Sequence, residues 1–264
     1  MPTPPSLFVS HGAPNLVLGS TAARSFLSEL AAELPEQPKA IVMISAHWET
    51  AGPAVSAPRI NDTIHDLGGF ERELYALNYP APGSPETAQR VAALLKSAGL
   101  PVTIDGQRGL DHGAWVPLML AWPDADIPVV QLSVQTHAGV DHHLAMGAAI
   151  EPLRNEGVLI IGSGSFTHDL RSYIPHRHHA AAVEPGWVSG FADWMDAALV
   201  SNDRDALRGY RQTAPDAVRN HPTEEHLLPL FVALGAGGTQ SSARSLHRST
   251  THGVLRMDAY AFGN

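Results

Sequence analysis

The chain has 264 residues, of which 44% are hydrophobic, so it is long enough and apolar enough to form one large α/β domain or two small ones. Its formal net charge is −9 and no run of five basic residues occurs, which argues against nucleic acid and anionic membranes as partners. The chain contains no cysteine, which excludes disulfides and thiolate zinc sites. It shows neither a secretion signal nor a run of about 18 apolar residues, so we expect it to be cytoplasmic.

Along the chain, short apolar strands alternate with amphipathic helices. Strands are predicted at 6–10, 40–46, 102–105, 128–134, 157–162 and near 253–258. Helices are predicted at 20–34, 84–99, 142–154, 184–200 and 224–235, and the Pro- and Gly-rich segment 52–83 is predicted to be a long loop. This alternation predicts a single three-layer α/β domain, whose mostly parallel or mixed sheet is covered by helices on both faces.

Three of the predicted strands lead to a histidine. "SLFVSHGAP" leads to His11, "IVMISAHWET" to His47, and "VLIIGSGSFTHDL" to His168 after a short turn. Because the carboxyl ends of parallel strands open onto one crevice, these imidazoles are expected at one rim of the sheet. Any one of them can instead be a hydrogen-bonded structural residue, but their convergence favours a metal site, since imidazole is the commonest metal ligand.

Other histidines lie in polar motifs. His112 in "GLDHGAW" and His226 in "HPTEEHLLPLF" add to the evidence for a metal site, and the chain has 15 histidines in all. The clusters "DHH" at 141–143 and "HRHH" at 176–179 lie at a helix start or in a loop, and we expect them to face solvent.

Several motifs spread over nearly the whole chain resemble one enzyme family. They are "SHGAP", "SAHWE", "TIHDLGGF", "YPAPGSP", "DHGAW", "PDADIPVVQLS", "GSGSFTHDL" and "HPTEEHLLPL". Together they resemble the 4,5-DOPA extradiol dioxygenases, a branch of the class III (LigB-like) aromatic ring-opening dioxygenases. The resemblance implies one LigB-like catalytic domain over residues 1–264 and a mononuclear non-haem metal, which is ferrous iron (Fe2+) in the active enzyme and sometimes zinc (Zn2+) after purification.

The same resemblance assigns the metal ligands to His11, His47 and His226. The wider class III enzymes resemble other non-haem iron oxygenases in using two histidines and one glutamate, whereas here Glu224 and Glu225 precede a histidine. Consecutive helical residues point about 100° apart, so on a helix beginning near residue 223 only one of the three can face the metal. We assign His226 as that ligand, and the glutamates are candidates for capping the helix or orienting a ligand.

Two histidines remain for the chemistry. In the family's pattern His168 takes the acid/base role, for which an imidazole is suited, and it is also a possible fourth ligand. His112 would stabilise or protonate an anion derived from oxygen, and the alternative is that it only holds the turn at 111–113. His221 is either structural or helps to orient a ligand.

Residues close to the motif histidines are predicted to form the substrate pocket. In "TIHDLGGF", His65 and Phe70 are expected to cover an aromatic ring beside two flexible glycines. Trp48 and Trp115 are expected to line an apolar pocket, and Arg171 is within reach of a substrate carboxylate. Packing of the loop is the alternative role for "TIHDLGGF".

The sequence therefore predicts an extradiol dioxygenase that cleaves a DOPA-like catechol with O2 to a ring-opened semialdehyde. Two alternatives stay open. One is a zinc-dependent hydrolase that uses the same histidines, and the other is a non-catalytic LigB-like interaction protein. The sequence leaves the oligomeric state and the identity of the catechol undetermined.

Overall fold

The computed structural model describes residues 3–176, 179 and 181–263, which form an α/β domain around a mixed sheet. In chain order, the strands of the described residues are β1 (Ser6–Ser10), β2 (Ala40–Glu49), β3 (Ala54–Ser56), β4 (Thr103–Asp105), β5 (Val129–Val134), β6 (Val158–Gly164), β7 (Ala243–His247), β8 (Thr250–Thr251), β9 (Leu255–Arg256) and β10 (Ala259–Phe262). Eight of them form the sheet in the order β4-β3-β5-β2-β6-β1-β10-β7, and β8 pairs with β9 separately.

The helices of the described residues are α1 (Ala22–Glu29), α2 (Pro85–Ser97), α3 (His112–Ala121), α4 (Gly139–Ile150), α5 (Leu170–His176), α6 (Gly186–Val200), α7 (Arg204–Arg208), α8 (Tyr210–Thr213), α9 (Ala217–Asn220) and α10 (Leu228–Ala236). Short 3-10 turns occupy Pro14–Leu18, Leu30–Glu33, Arg72–Ala76, Thr136–Ala138 and Glu151–Glu156. Helix α2 begins as its sequence indicates, because the Ser84 side chain accepts a hydrogen bond from the backbone N–H of Thr87 (3.2 Å) and a proline follows at the first helical position.

The centre of the sheet is parallel, and its edges are partly antiparallel. Strands β5, β2, β6 and β1 run parallel to one another. Strand β3 runs antiparallel to β5, and β10 runs antiparallel to β1. The predicted α/β class with a mostly parallel or mixed sheet is therefore confirmed, and the carboxyl ends of β2, β6 and β1 lie side by side at one rim.

Alternation along β2 decides which side chains can reach the rim. Ile41 and Met43 pack in the core that α1 and α3 cover, whereas Val42 and Ile44 pack in the core on the opposite face. Because successive side chains of a strand point to opposite faces, His47 falls on the α3 face and Trp48 on the other. Strand β1 follows the same alternation, and its Leu7 and Val9 point to the α3 face.

Helix α10 lies against the other face of the sheet and crosses α4 at very short range. A Cβ atom on Gly147 would lie 2.0 Å from the carbonyl oxygen of Val232, and one on Gly235 would lie 2.3 Å from that of Leu144. Each helix therefore needs a glycine at the crossing. The crossing holds α10 against α4, and the turn before α10 carries His226.

The structure corrects several predicted elements. Helix α3 was not predicted, because it is buried on nearly all sides and so lacks the apolar periodicity of a surface helix. The late strand predicted near 253–258 is present as β9, but it is short and pairs with β8 outside the main sheet, and the sheet strand follows at β10. Strands β3 and β7 were also missed, as both are short and each forms by pairing with a strand that follows later in the chain. Helix α10 begins at Leu228 rather than near residue 224.

One predicted surface histidine is buried. His143 on α4 is wholly inaccessible to solvent, and its Nδ1–H donates to the carbonyl of Gly139 (2.6 Å) while its Nε2 accepts from the N–H of Gln135 (3.1 Å). The prediction that residues 141–143 face solvent is therefore wrong at this position. In the other cluster His176 and His179 are exposed, and Arg177 and His178 lie outside the described residues. None of the helices formed by the described residues has the length and apolar character that crossing a bilayer requires.

We expect His143 to make the stability of the fold depend on pH. Burial lowers the pKa of His143 to about 4 from an ordinary value of 6.5, so below pH 6.5 the unfolded chain binds a proton that the folded chain does not. Stability from this source is present above pH 6.5 and is lost as the pH falls towards 4. The exposed His137 provides a matched control.

Between pH 7 and pH 5, the His143→Gln variant should lose about 2 kcal/mol less unfolding free energy than the parent or the His137→Gln variant. The measurement is urea unfolding of the metal-free proteins at both pH values. An equal pH-dependent loss in all three proteins would contradict the titration of His143.

Candidate functional site

Three imidazoles meet at the rim formed by β1, β6 and β2. His11 directly follows β1, His47 lies near the end of β2, and His226 lies in the turn before α10. The Nε2 atom of His47 is 3.1 Å from the Nε2 of His11 and 3.2 Å from the Nε2 of His226. The structure thus brings together the three residues predicted as ligands, although His226 stands on a turn and not on a helix.

Each of the three imidazoles has a partner at its other nitrogen. The Nδ1–H of His11 donates to Ser163 Oγ at 3.0 Å, because the hydroxyl of Ser163 itself donates to the carbonyl of Gly113. His226 Nδ1 lies 3.1 Å from a carboxylate oxygen of Glu225. His47 Nδ1 lies 3.7 Å from the nearest carboxylate oxygen of its neighbour, Asp66. The acceptors at 3.0 and 3.1 Å hold the proton on Nδ1 of His11 and His226, and the charge of Asp66 at 3.7 Å favours the same tautomer in His47, so the three Nε2 atoms carry lone pairs.

These lone pairs make the cluster suited to a cation. Nitrogen atoms at 3.1 and 3.2 Å with no proton between them repel one another as they stand, and a metal ion between them would turn the repulsion into coordination. Burial, reinforced by the neighbouring histidines, lowers the pKa of both His11 and His226 well below 6.5. The imidazoles are therefore neutral at pH 7, which is the form that binds metals.

Close backbone contacts fix the positions of His11 and His226. The N–H of His11 donates to the carbonyl of Gly164 (2.9 Å), and the N–H of Ser165 donates to the carbonyl of His226 (2.9 Å). A Cβ atom on Gly164 would lie 2.0 Å from that carbonyl oxygen of His226. The second glycine of "GSGSFTHDL", Gly164, therefore lets the turn before α10 approach the end of β6.

A buried carboxylate ties β2 to the start of α3. Asp111 is fully buried and accepts hydrogen bonds from Ser45 Oγ (2.6 Å), Arg108 Nη2 (2.7 Å) and Gln131 Nε2. A Cβ atom on the next glycine, Gly113, would lie 2.4 Å from Ser45 Oγ. This network explains the "DHG" motif, because the aspartate anchors the turn, the glycine allows close approach, and the histidine between them reaches the site.

His112 lies beside the three-histidine cluster and faces Asp66. Its ring centroid is 3.9 Å from that of His47 and 5.5 Å from that of His11. Asp66 Oδ1 accepts the backbone N–H of His112 (2.8 Å), and Asp66 Oδ2 lies 3.0 Å from His112 Nδ1. Burial raises the pKa of Asp66, but the hydrogen bonds and charge of His112 outweigh it and lower the pKa to about 2.

His168 packs face to face on His226. The two ring centroids are 3.5 Å apart with an interplanar angle of 13°. Burial lowers the pKa of His168 to about 4, so the ring is unprotonated at neutral pH. The described residues whose donor atoms lie within 4.8 Å of one another include His168 with Glu225 and His226, but not with His11 and His47. The backbone N–H of His168 donates to the carbonyl of Asn220, next to the buried His221.

A cavity of about 320 Å³ opens beside these histidines. Its walls include His11, His47, His112, His168, His226, Asp66, Glu225, Phe70, Pro14, Leu170, Tyr173 and Leu255. Apolar walls with a few convergent polar groups are typical of a small-molecule site. Phe70, predicted to cover a substrate, lines this cavity.

Other predicted pocket residues lie elsewhere. Trp48 points to the opposite face of β2 and packs under the guanidinium of Arg108, whose Cζ is 5.3 Å from the ring centroid. His65 donates from Nε2 to the carbonyl of Leu77 (2.9 Å), and Trp115 is wholly buried. Neither these residues nor the exposed Arg171 is among the residues that line the cavity, and the substrate contacts expected of Trp48 and His65 stay predictions.

Sequence reasoning missed two residues that contact the histidines. Asp66 stands in the quoted motif "TIHDLGGF", next to the histidine that was chosen instead, and only the path of the loop shows which of the two points inward. Ser163 is an ordinary strand residue in the sequence. Its alternation with Leu159 and Ile161 would have placed it on the α3 face, but nothing in the sequence pairs it with His11.

Comparison with known proteins gives consistent relatives. A family model described as "Catalytic LigB subunit of aromatic ring-opening dioxygenase" matches residues 5–262. The chain is 45% identical to 4,5-DOPA dioxygenase extradiol of Beta vulgaris over 97% of this chain and 96% of that protein. It is 40% identical to the protein of the same name from Escherichia coli K12 over 88% of this chain and 84% of that protein. A crystal structure of the uncharacterized Escherichia coli K12 protein JW3007 superposes with a TM-score of 0.82 at 34% identity, covering 98% of this chain and 100% of that one.

The geometry predicts different metal losses for two histidine variants. His226→Ala removes one of three converging lone pairs and should weaken zinc binding by more than about 100-fold, whereas His168→Gln should weaken it by less than about 10-fold. Competition with a chromophoric chelator measures both affinities, and His137→Ala serves as the surface control. If His168→Gln binds zinc as poorly as His226→Ala, His168 is a fourth ligand.

Proposed function

Since this chain belongs to the family of catalytic LigB subunits of aromatic ring-opening dioxygenases, we propose that it opens the ring of a DOPA-like catechol with O2. It is an extradiol dioxygenase, as are the relatives that match it over nearly its whole length. The observation that carries the proposal is the convergence of three Nε2 lone pairs at the wall of an apolar cavity of about 320 Å³. That volume is at the small end of ligand sites and suits one substituted ring.

We propose ferrous iron as the metal, held by His11, His47 and His226. Three neutral imidazoles suit a divalent transition metal. When bound, such a metal supplies the site for the diol and the redox chemistry with O2. Zinc fits the same ligands but has no redox chemistry, so it is the natural occupant to compare with iron.

The other histidines of the cavity have the properties that proton transfer needs. A catechol must lose a proton to bind as an anion, and His168 is neutral at pH 7 and lines the cavity, so it is placed to accept that proton. His112, whose ring centroid lies 3.9 Å from that of His47, is the group that donates a hydrogen bond or proton to a developing oxygen anion. Phe70 and the other apolar walls hold the ring and exclude water.

Oxygen uptake with matched metals tests this function. Metal-free protein is reconstituted under anaerobic conditions with ferrous iron or with zinc, and is then mixed with aerated buffer and a panel of substituted catechols. We expect stoichiometric oxygen uptake and a new absorbance from the ring-opened semialdehyde in the iron samples only. Turnover of the zinc samples without oxygen uptake would instead indicate a hydrolase, and no reaction in either would contradict an enzyme of this class.

Turnover of His168→Gln tests the assignment of the proton acceptor. Glutamine keeps the size and polarity of the side chain but cannot accept a proton at neutral pH, so kcat should fall about 100-fold or more. The iron content of the same samples is measured, and rates are expressed per bound iron at saturating catechol, with His137→Gln as control. Parent-like turnover would move the role to another group, of which His112 is the nearest candidate.

A further inference from the structure

Asp66 is the one acidic side chain of the cavity that contacts His112 directly. Its two carboxylate oxygens take different partners on the same residue, since Oδ1 accepts the backbone N–H at 2.8 Å and Oδ2 lies 3.0 Å from the ring Nδ1. The ring contact is short but not well aligned as a hydrogen bond. The contact with His47 Nδ1 is longer, at 3.7 Å. The carboxylate of Asp66 therefore lies closer to the ring of His112 than to the ring of His47.

The loop that carries Asp66 is firmly attached just before this residue. The Asn61 side chain is buried and donates to the carbonyl of Val129 in β5 (3.1 Å). The backbone N–H of Ile64 donates to the carbonyl of Leu110 (2.8 Å), and Trp115 Nε1 donates to the carbonyl of Ile64 (3.0 Å). These bonds hold the segment against β5 and α3, so the position of Asp66 is set by the core and not by the loop alone.

The residues next to Asp66 differ from it in their contacts and in their backbone. His65 turns away from the cavity and bonds to the carbonyl of Leu77 at 2.9 Å, which leaves Asp66 pointing towards His112. After Leu67, Gly68 and Gly69 have open space where a Cβ atom would stand, and Gly69 has φ of +75°. Asp66 therefore lies between the part of the loop that is bonded to β5 and α3 and the two glycines that follow, while the carbonyl of Leu67 accepts from Tyr75 Oη at 3.2 Å.

A carboxylate at Nδ1 fixes both the orientation and the tautomer of an imidazole. By its charge, 3.0 Å away, it favours the tautomer with the proton on Nδ1, so Nε2 is the nitrogen left to the cavity with a lone pair. The bond from Oδ1 to the backbone also satisfies an N–H at the first turn of α3, which has no partner within the helix. One side chain thus holds the main chain and the ring of His112 together.

We propose that Asp66 is a positioning residue of the reaction, which acts through His112 by fixing the ring with Nε2 directed to the substrate. The proposal rests on the proposed function, because it assumes that His112 faces the reacting oxygen atoms. It gives the motif "TIHDLGGF" a defined role, in which the aspartate orients a reacting group and the following glycines and Phe70 line the cavity.

Asp66→Asn is the informative change. Asparagine keeps the size and can still accept the backbone N–H, but its neutral amide no longer holds the proton on His112 Nδ1. With ferrous iron loaded, we expect kcat to fall about 10–100-fold, the usual scale for removing a partner that orients an active-site group, with KM within about twofold. Asp62→Asn is the matched control, because Asp62 is an exposed aspartate on the same segment that contacts none of the site histidines.

A double variant separates action through His112 from any other role. If Asp66 acts through His112, then Asp66→Asn combined with His112→Gln should have the same kcat as His112→Gln alone. Independent, multiplying losses would overturn the proposal. Loss of bound iron in Asp66→Asn would also overturn it, because the carboxylate would then serve the ligand His47. Thermal midpoints of all variants, measured metal-free, exclude unfolding as the cause.

The tautomer itself can be observed without turnover. In ¹⁵N–¹H correlation spectra of the metal-free protein, the ring of His112, assigned by its absence in His112→Gln, should show the proton on Nδ1 in the parent and in Asp62→Asn. In Asp66→Asn it should show exchange or the proton on Nε2. An unchanged pattern in Asp66→Asn overturns the proposal. This readout stands even if no catechol is oxidised, so failure of the proposed function and failure of this inference are distinguishable.

Discussion

The site depends on three imidazole nitrogens that are held within 3.1–3.2 Å along two contacts and have no proton to share. Each of the three rings is forced into this state by the partner at its opposite nitrogen. The partners are a serine hydroxyl for His11 and carboxylates near His226 and His47. Burial then prevents the rings from taking up a proton to relieve the repulsion. A cation among the three nitrogens would satisfy the arrangement.

The charges around the cluster complement that cation. Three neutral histidines leave a divalent metal with its full charge, unlike a site that contains a ligating glutamate. Here two carboxylates, Asp66 and Glu225, contact the ligand rings from outside and line the same cavity. With a metal held by the three histidines, these carboxylates would supply negative charge from behind the rings.

Burial serves both metal binding and catalysis. The apolar walls that suit an aromatic ring also desolvate His168 and lower its pKa to about 4. His168 is desolvated, whereas His112 faces the carboxylate of Asp66 at 3.0 Å, so two residues of the same type stand in different environments. Such a difference between paired groups is how one site performs acid and base steps at one pH. The environment of each ring, and not its identity, therefore assigns its role.

The sequence by itself determined the strands β1, β2 and β6, the α/β class and the motif histidines that follow those strands. Continuous apolar runs and strand-end polar residues are local patterns, so they can be read without knowing what packs against them. Residue alternation along the strand also predicts that Trp48 points to the face of the sheet opposite to His47. Only the tertiary structure decided that Asp66 and not His65 faces the cavity, that His143 is buried, and that Ser163 holds His11. Each of these depends on a contact between segments distant in the chain, and no local pattern specifies which of two neighbouring side chains a folded loop will turn inward.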